Sequence, residues 1–453
     1  MRVYIISFLC MVGLLCAEEA QVILCENGKE TAQWALELIQ HAEQSIDFCP
    51  CFTGGELMDE LFLAIEERMQ TFPKLRAHIL MSTFFLEPSN IALIERLRQQ
   101  YSRQFQLTYT TSVMDFQTDI RAIDNHVKLL IIDETYFISG GSNYDYAICS
   151  EGTFTPTRRP KDCIVGSRLP SGSRDQDFIG KSRSIARELR IDLHNMIAMW
   201  KDFQTRKHFS SYNPDDFADV TTFYEIDPTH SSYISRFDDS SNLLTCKNLY
   251  KVMSGPMHIP NHIAQEYSRL IDQAETEILI GNLHFAPTDS IFESLLRAIR
   301  RGVKVTVITN GVHEFSPNCT TTMSLANILY YIPALYGKTY RFWEKKKCER
   351  DSVYPTAIHE YFVDDILYHK KVMVVDEKFF LIGSYNLGLR SDISDYELVF
   401  VMESPEVAQE AKKILQRDLQ YTRQVTPSQA RTWYFTLTTF YEAELQKMFN
   451  CFF

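Results

Sequence analysis

The chain has 453 residues, 45% hydrophobic and 23% charged, with a net charge of -12. This is the composition of a globular protein long enough for two large halves, and its acidic balance argues against life on bulk nucleic acid, which calls for a basic surface. Of its 11 cysteines, Cys10 and Cys16 fall in an apolar N-terminal run, and the odd, irregularly spaced remainder excludes a disulfide framework.

From the N-terminus, Arg2 precedes an apolar run from Val3 to Leu15, and Leu15-Cys16-Ala17 places a small residue before Glu18 and Glu19. A charged start, a short apolar run and a small residue predict an export signal, residues 1–17, cleaved near Ala17. The run is shorter than the ~20 residues that span a bilayer. Localisation is therefore expected to be secreted or periplasmic, with a soluble or peripheral mature chain. Cys49 and Cys51 sit in a Cys-Pro-Cys run without a second ligand pair, and are read as buried strand residues, open to one disulfide after export.

Helical periodicity over Ala32 to Glu43 precedes a strand at Ser45 to Cys49. A helix at Glu56 to Met69 then precedes a strand at Leu75 to Leu80. The order returns downstream as a helix at Tyr267 to Glu275, a strand at Glu277 to Ile280, a helix at Ser290 to Arg301 and a strand at Val303 to Ile308. Strands alternating with helices predict two pseudo-repeated α/β/α halves with mixed, largely parallel sheets. The halves are residues 18–211 and 251–453. A polar stretch, residues 212–250, is read as the connector, with a strand at Val220 to Tyr224. An irregular stretch, Cys149 to Ser173, interrupts the first half.

Each half carries one copy of a motif. His126, Lys128 and Asp133 are followed by Gly140, Gly141 and Asn143; His369, Lys371 and Asp376 are followed by Gly383, Ser384 and Asn386. Relative to His, the Lys, Asp, Gly and Asn offsets agree between copies, which makes the pair far more specific than either alone. Strands at Val127 to Ile132 and Val372 to Val375 put His126 and Lys128 on one face. Return strands at Phe137 to Ser139 and Phe379 to Ile382 bring Gly and Asn back beside the His. Two facing histidines can divide the roles of nucleophile and proton donor. Lys128, Lys371, Asn143 and Asn386 offer positive charge and amide donors suited to phosphodiester oxygens. Each His needs its second nitrogen held, and the acids arriving later in each half are Asp177 and Glu397. Asp133 and Asp376, at strand ends before turns, read as supporting residues of the motif. His194, His258, His262, His284, His313 and His359 are scattered and read as structural or surface residues, and no His or carboxylate cluster has metal-ligand spacing.

The two motifs, with Gly140-Gly141-Ser142-Asn143 and Gly383-Ser384-Tyr385-Asn386, resemble the HKD signatures of the phospholipase D superfamily. Ser254-Gly255-Pro256 and the segment from Arg390 to Glu397 resemble its bacterial branch that includes cardiolipin synthases. The resemblance implies a bilobal α/β fold with one site between the halves, a phosphohistidine intermediate, and no metal or cofactor. It implies His126 as nucleophile, His369 as general acid, the Lys and Asn pairs as phosphate ligands, Asp177 and Glu397 as His-orienting acids, and Asp133 and Asp376 as members of the catalytic motifs. The expected activity is a secreted phospholipase D that hydrolyses glycerophospholipids such as phosphatidylcholine to phosphatidic acid at a membrane surface. Phosphatidyl transfer of the cardiolipin synthase kind and nucleic-acid cleavage are the alternatives. Aromatic residues from Tyr330 to Trp343 and from Trp433 to Phe453, and the basic run Arg341 to Arg350, are candidate lipid-facing surfaces.

Overall fold

A computed structural model describes residues 18–83, 86–110, 113–115, 121–145, 149, 172–206, 226–227, 229–230, 232–256, 260–310, 330–331, 334–335, 356–363 and 366–435. Residues 1–17, the strand expected at Val220 to Tyr224, the basic run and most of both aromatic stretches lie outside them. Among the described residues, no helix is long and apolar enough to cross a membrane.

The first half runs β1 (Glu18–Cys25), α1 (Gly28–Gln40), β2 (Ser45–Cys51), α2 (Gly55–Thr71), β3 (Arg76–Ser82), α3 (Pro88–Gln100) and β4 (Phe105–Thr110). The short strands β5 (Val113–Asp115) and β6 (Arg121–Asn125) lead into the motif hairpin, β7 (Leu129–Ile132) and β8 (Tyr136–Gly140). Then come β9 (Gly172–Arg174), β10 (Asp177–Lys181), α4 (Arg183–Arg206) and a single turn, α5 (Ser235–Asp238). The second half begins with β11 (Leu244–Ser254), so a sheet strand starts inside the stretch read as connector. It continues through α6 (His262–Gln273), β12 (Glu277–Asn282), α7 (Asp289–Arg301), β13 (Lys304–Asn310), β14 (Thr356–Tyr361) and β15 (Ile366–Tyr368). Its motif hairpin is β16 (Lys371–Val375) and β17 (Phe379–Gly383), followed by α8 (Leu389–Ile393), β18 (Asp395–Glu403), α9 (Pro405–Asp418), β19 (Thr422–Val425) and α10 (Pro427–Phe435).

Strand pairing makes one sheet across both halves, in the order β4-β3-β2-β7-β8-β10-β1-β11-β18-β17-β16-β12-β13-β14-β19. The order reads the same outward in both directions from the β1–β11 pair, with β19 added at one edge. The halves are parallel over β2-β3-β4 and β12-β13-β14, antiparallel from the motif hairpin to the junction, and antiparallel again where β19 joins β14. One face is covered by α1, α2 and α3 in the first half and by α6 and α7 in the second. The other face forms a continuous core under α4 and α9 that joins Ile131, Phe137 and Phe178 to Val374, Ile382 and Phe400. Phe400 stacks on Phe137 at 5.9 Å and meets Phe178 edge-on at 5.0 Å, so the halves are welded by aromatic burial at their junction.

The hairpin turns explain the Asp of each motif. Asp133 and Glu134 both have φ 50, and Asp376 and Glu377 both have φ 52. Two successive residues at positive φ make the tight reversal that matches the twist of the flanking strands, and Asp tolerates it better than most residues. The Asp133 carboxylate accepts from the N–H groups of Glu43 at 3.0 Å, Gln44 at 2.7 Å and Ser45 at 2.8 Å. Asp376 repeats this with Glu275 at 2.8 Å, Thr276 at 2.8 Å and Glu277 at 2.9 Å. These carboxylates tie the hairpin to the first residues of β2 and β12, at the strand ends opposite the histidines. That corrects their place in the catalytic set: they hold the motif strand in register and touch neither histidine.

The Asp133 side chain is buried. Because a buried carboxylate bonded to three amides leaves all three unsatisfied when removed, Asp133→Ala is expected to cost about 3 kcal/mol in a urea titration. Asp133→Asn, which keeps one acceptor oxygen and tolerates positive φ, should lose less than half of that.

Candidate functional site

The site is built where strands from opposite halves cross. β6 runs parallel to the start of β18, with Asn125 opposite Tyr396, and the His126 N–H donates to the Tyr396 carbonyl at 3.0 Å. β15 runs parallel to β9, with Tyr368 opposite Arg174, and the His369 N–H donates to the Arg174 carbonyl at 2.8 Å. Each histidine thus lies beside the residue that precedes an acid of the other half. Glu397 receives His126 Nδ1 at 3.0 and 3.1 Å. Asp175 receives His369 Nδ1 at 2.5 Å.

Asp175 therefore takes the place expected for Asp177, and both acids serve the histidine of the opposite half. Asp177 is displaced by one pleat. Its carboxylate accepts from Thr31 Oγ1 at 2.7 Å and from the Ser142 amide at 3.1 Å, and also binds the Ser142 hydroxyl. Sheet register shows the equivalence: Gly140 pairs with Asp177 and Gly383 pairs with Val399, so Asp175 corresponds to Glu397. Aligning Phe178 with Phe400, both packed at the junction, would have found it.

The residues after the motif strands are shaped by these acids. A Cβ on Gly141 would come within 2.2 Å of Asp175 Oδ1. The equivalent residue, Ser384, instead donates its hydroxyl to Glu397, and Ser391 Oγ donates to the other oxygen at 2.6 Å. The shorter acid meets glycine and the longer acid meets two hydroxyls.

Two ionic networks brace the crossings. Arg174 Nε donates to Asp418 Oδ1 at 2.8 Å and its Nη2 to Glu26 at 2.9 Å, while Lys370 Nζ is 2.7 Å from Asp418 Oδ2. Arg390 holds Asp395 at 2.9 Å and reaches Asp124 at 3.5 Å. Both networks join residues of the two halves.

Electrostatics at the centre follow from burial. Burial pulls the His126 imidazole down to about 4 against the opposing charge of Glu397, with Lys128 and Lys371 adding to the downward shift. His369 is likewise drawn down to about 4 by burial and then by Lys371. Burial alone would raise Glu397 and Asp175, but their histidines and the site lysines outweigh it and hold both below their ordinary range. At neutral pH each pair is a neutral imidazole donating Nδ1–H to an ionised carboxylate, which leaves Nε2 as the nitrogen available for chemistry. Lys371 Nζ lies 2.8 and 2.9 Å from the two ring nitrogens of His369, and burial lowers it to about 7. Lys128 Nζ donates to the His126 carbonyl at 2.8 Å. The side-chain oxygens of Asn143 and Asn386 are buried without a hydrogen-bond partner, so both amides have unused capacity for a bound group.

Burial pushes the Asp177 carboxyl up to about 6, helped by Asp175. Of the scattered histidines, His284 lies close enough to Lys371, His369 and His126 to be pulled down by their charges after burial, to about 3. Like Asp175, it was missed by periodicity and spacing, in its case because no motif marks it. His194, by contrast, donates Nε2–H to Asp47 Oδ1 at 2.7 Å, in a group with His78 and Arg190.

Among the described residues, two sets have metal-ligand proximity, Asp47 with His78 and His194, and His126 with Asp395 and Glu397. In the first, Arg190 at 3.0 Å already neutralises the one carboxylate, so a divalent ion would leave excess buried positive charge. In the second, Arg390 occupies Asp395 and Lys128 lies nearby. Neither donor set fits a resident cation well. The described cysteines Cys25, Cys49, Cys51, Cys149 and Cys246 are free and buried.

Residues 267–419 match the family described as cardiolipin synthase, PLD-like domain. Cardiolipin synthase A of Buchnera aphidicola is 24% identical over 155 residues, covering 34% of this chain and 27% of the relative. Cardiolipin synthase C of Escherichia coli is 29% identical over 159 residues, covering 32% of this chain and 30% of the relative. The matched stretches thus span about a third or less of those relatives' length. In structure, phosphatidylserine synthase of Haemophilus influenzae superposes over 95% of both chains with a TM-score of 0.58 at 15% identity, a likeness of fold. With the paired motifs and this fold, the match over residues 267–419 identifies the second half as a PLD-like domain of the phospholipase D superfamily.

Proposed function

We propose that the chain is a phosphatidyl transferase that moves a phosphatidyl group between alcohols through a phosphohistidine. The observation that carries this reading is the reciprocal pairing of His126 with Glu397 and of His369 with Asp175, which gives two equally prepared imidazoles and joins both motifs in one site. His126 Nε2 attacks phosphorus, the bond from phosphorus to the leaving alcohol breaks, and His369 supplies that oxygen's proton. In the return step His369 takes the proton of an entering hydroxyl, which attacks phosphorus and releases His126. Lys128, Lys371, Asn143 and Asn386 hold the non-bridging oxygens as charge shifts during each displacement. An entering alcohol gives transfer and an entering water gives phosphatidic acid. Transfer is preferred over the hydrolysis expected from the motifs because the sequence relatives are synthases of cardiolipin. The assignment of nucleophile and acid to the two histidines follows the family resemblance.

The test is incubation of the purified chain with phosphatidylglycerol vesicles. Cardiolipin and glycerol should accumulate in excess of phosphatidic acid, and acid quenching should trap a phosphatidyl-histidine that His126→Ala abolishes. Phosphatidic acid as the sole product would favour the hydrolase, and cleavage of single-stranded DNA alone would sink the lipid reading.

The acids give a sharper test. Asp175→Asn is expected to lower kcat by about 100-fold, the scale of a lost general acid–base arrangement. Gly141→Ala should do the same by displacing Asp175, whereas Asp177→Asn should stay within about threefold of wild type, since its carboxylate touches no histidine. Equal losses in Asp175→Asn and Asp177→Asn would contradict the assignment.

The pH profile follows from the pKa values of the free enzyme. The reactive complex needs protons on His369 and Lys371, yet burial draws these groups down to about 4 and about 7. A bound phosphodiester anion raises both. Free-enzyme values govern kcat/KM, so kcat/KM should fall as pH rises across the neutral range, more steeply once Lys371 loses its proton above about 7. Lys371→Arg, which keeps its charge, should flatten the steeper part while lowering the maximum.

A further inference from the structure

The two halves present matching residues to the phosphate, so the motifs alone give the site no means of telling one alcohol from the other. The segment after β12 breaks that symmetry. Asn282 pairs with Lys371, and the Leu283 N–H donates to the Lys370 carbonyl at 3.0 Å. Two residues on, Phe285 bridges to Leu387, beside Asn386, and the Ala286 N–H donates to the Leu387 carbonyl at 3.1 Å. The Leu283 carbonyl is itself held by Asn310 Nδ2 at 2.9 Å. His284 is therefore fixed by backbone bonds on either side between the lysine and the asparagine of the second motif.

The first half has the same turn with a different residue. Thr53 bridges to Tyr144 as Phe285 bridges to Leu387, and Asn143 precedes Tyr144 as Asn386 precedes Leu387. Counting back one position, Phe52 is the counterpart of His284. Its carbonyl accepts from the Tyr144 N–H at 3.1 Å. The same position thus carries a phenylalanine in the first half and a histidine in the second, both partly exposed.

We propose that His284 is the specificity residue for the alcohol that leaves and enters on the His369 side, and that it selects a polyol by hydrogen-bonding a hydroxyl beside the reacting oxygen. This rests on the transfer reading above, in which His369 handles that alcohol's proton. The chemistry fits: burial and the surrounding cations keep the imidazole uncharged. A neutral imidazole offers one donor and one acceptor, the pairing a hydroxyl can satisfy and a quaternary ammonium cannot. A quaternary ammonium would instead favour an aromatic face, as Phe52 would supply on the other side.

Calorimetry on the full chain tests this without turnover, using glycerol 3-phosphate and methyl phosphate as probes. Wild type should bind glycerol 3-phosphate about five- to tenfold more tightly, the scale of one added hydrogen bond. His284→Phe should erase that preference and His284→Gln should restore most of it. In turnover, His284→Phe should raise the KM for glycerol as acceptor by a similar factor and shift transfer from glycerol towards choline. Retention of the glycerol 3-phosphate preference in His284→Phe would overturn the proposal, as would equal weakening of both probes. If wild type forms no phosphohistidine from any phospholipid, the transfer reading falls. The binding preference and its loss in His284→Phe would still assign His284 to the polyol.

Discussion

The structure depends on a reciprocal exchange: each histidine is positioned by the opposite half. The exchange is made twice over at each crossing, once by backbone and once by side chain. His126 N–H meets the Tyr396 carbonyl and His126 Nδ1 meets Glu397; His369 N–H meets the Arg174 carbonyl and His369 Nδ1 meets Asp175. A half separated from its partner would keep its lysine and asparagine but lose the acid that orients its imidazole. That is why so much of the molecule is spent on the junction. The β1–β11 pair makes the sheet continuous, Phe137, Phe178 and Phe400 fill the core beneath it, and Arg174, Asp418 and Lys370 bind the crossing from the side. Small relative movements of the halves would open all of these contacts together, and packed aromatic cores resist such movement.

The same burial that builds the junction sets the reactivity. Both imidazoles are kept neutral when the site is empty, and one of the lysines is drawn towards neutrality. Four cations packed around one centre would repel; the lowered pKa values of His126, His369 and Lys371 remove part of that repulsion at the expense of charge. A phosphodiester anion reverses the balance, since its negative charge favours the protonated forms of the groups around it. In the proposed transfer, substrate binding and activation of His369 as general acid would therefore be linked: the proton it would give is acquired most easily when the phosphate is there to receive it.

How much of this was legible beforehand varied with how local the determinants were. The halves, the hairpins and the six His, Lys and Asn residues were legible because each copy of the motif is short and spans a strand, a turn and a return strand, so spacing carries geometry. Asp175 was not, because its register depends on a strand that pairs after an insertion, and Asp177, two residues on, offers the same chemistry to a reader counting acids. Asp133 and Asp376 were legible as turn residues but not as clamps, since the amides they hold lie about 90 to 100 residues away. His284 was invisible for a different reason. Nothing local marks it, and its place follows only from the strand pairing that seats Asn282 opposite Lys371.

The pairing of Gly141 with Asp175, and of Ser384 with Glu397, shows how a repeat can differ in its residues while keeping its geometry. A glutamate carries its carboxylate one methylene further from the backbone than an aspartate. On the glutamate side two hydroxyls, Ser384 and Ser391, fix the longer side chain. On the aspartate side the backbone of the return strand comes so close that a methyl group would collide with the carboxylate. Acid and neighbour must therefore change together: serine at 141 would strike Asp175, while glycine at 384 would leave Glu397 with one support fewer. The two halves reach the same imidazole–carboxylate geometry through different local packing. Once the histidines are equivalent in this way, differences between the two ends of the site must come from residues outside the motif, on turns such as those carrying Phe52 and His284.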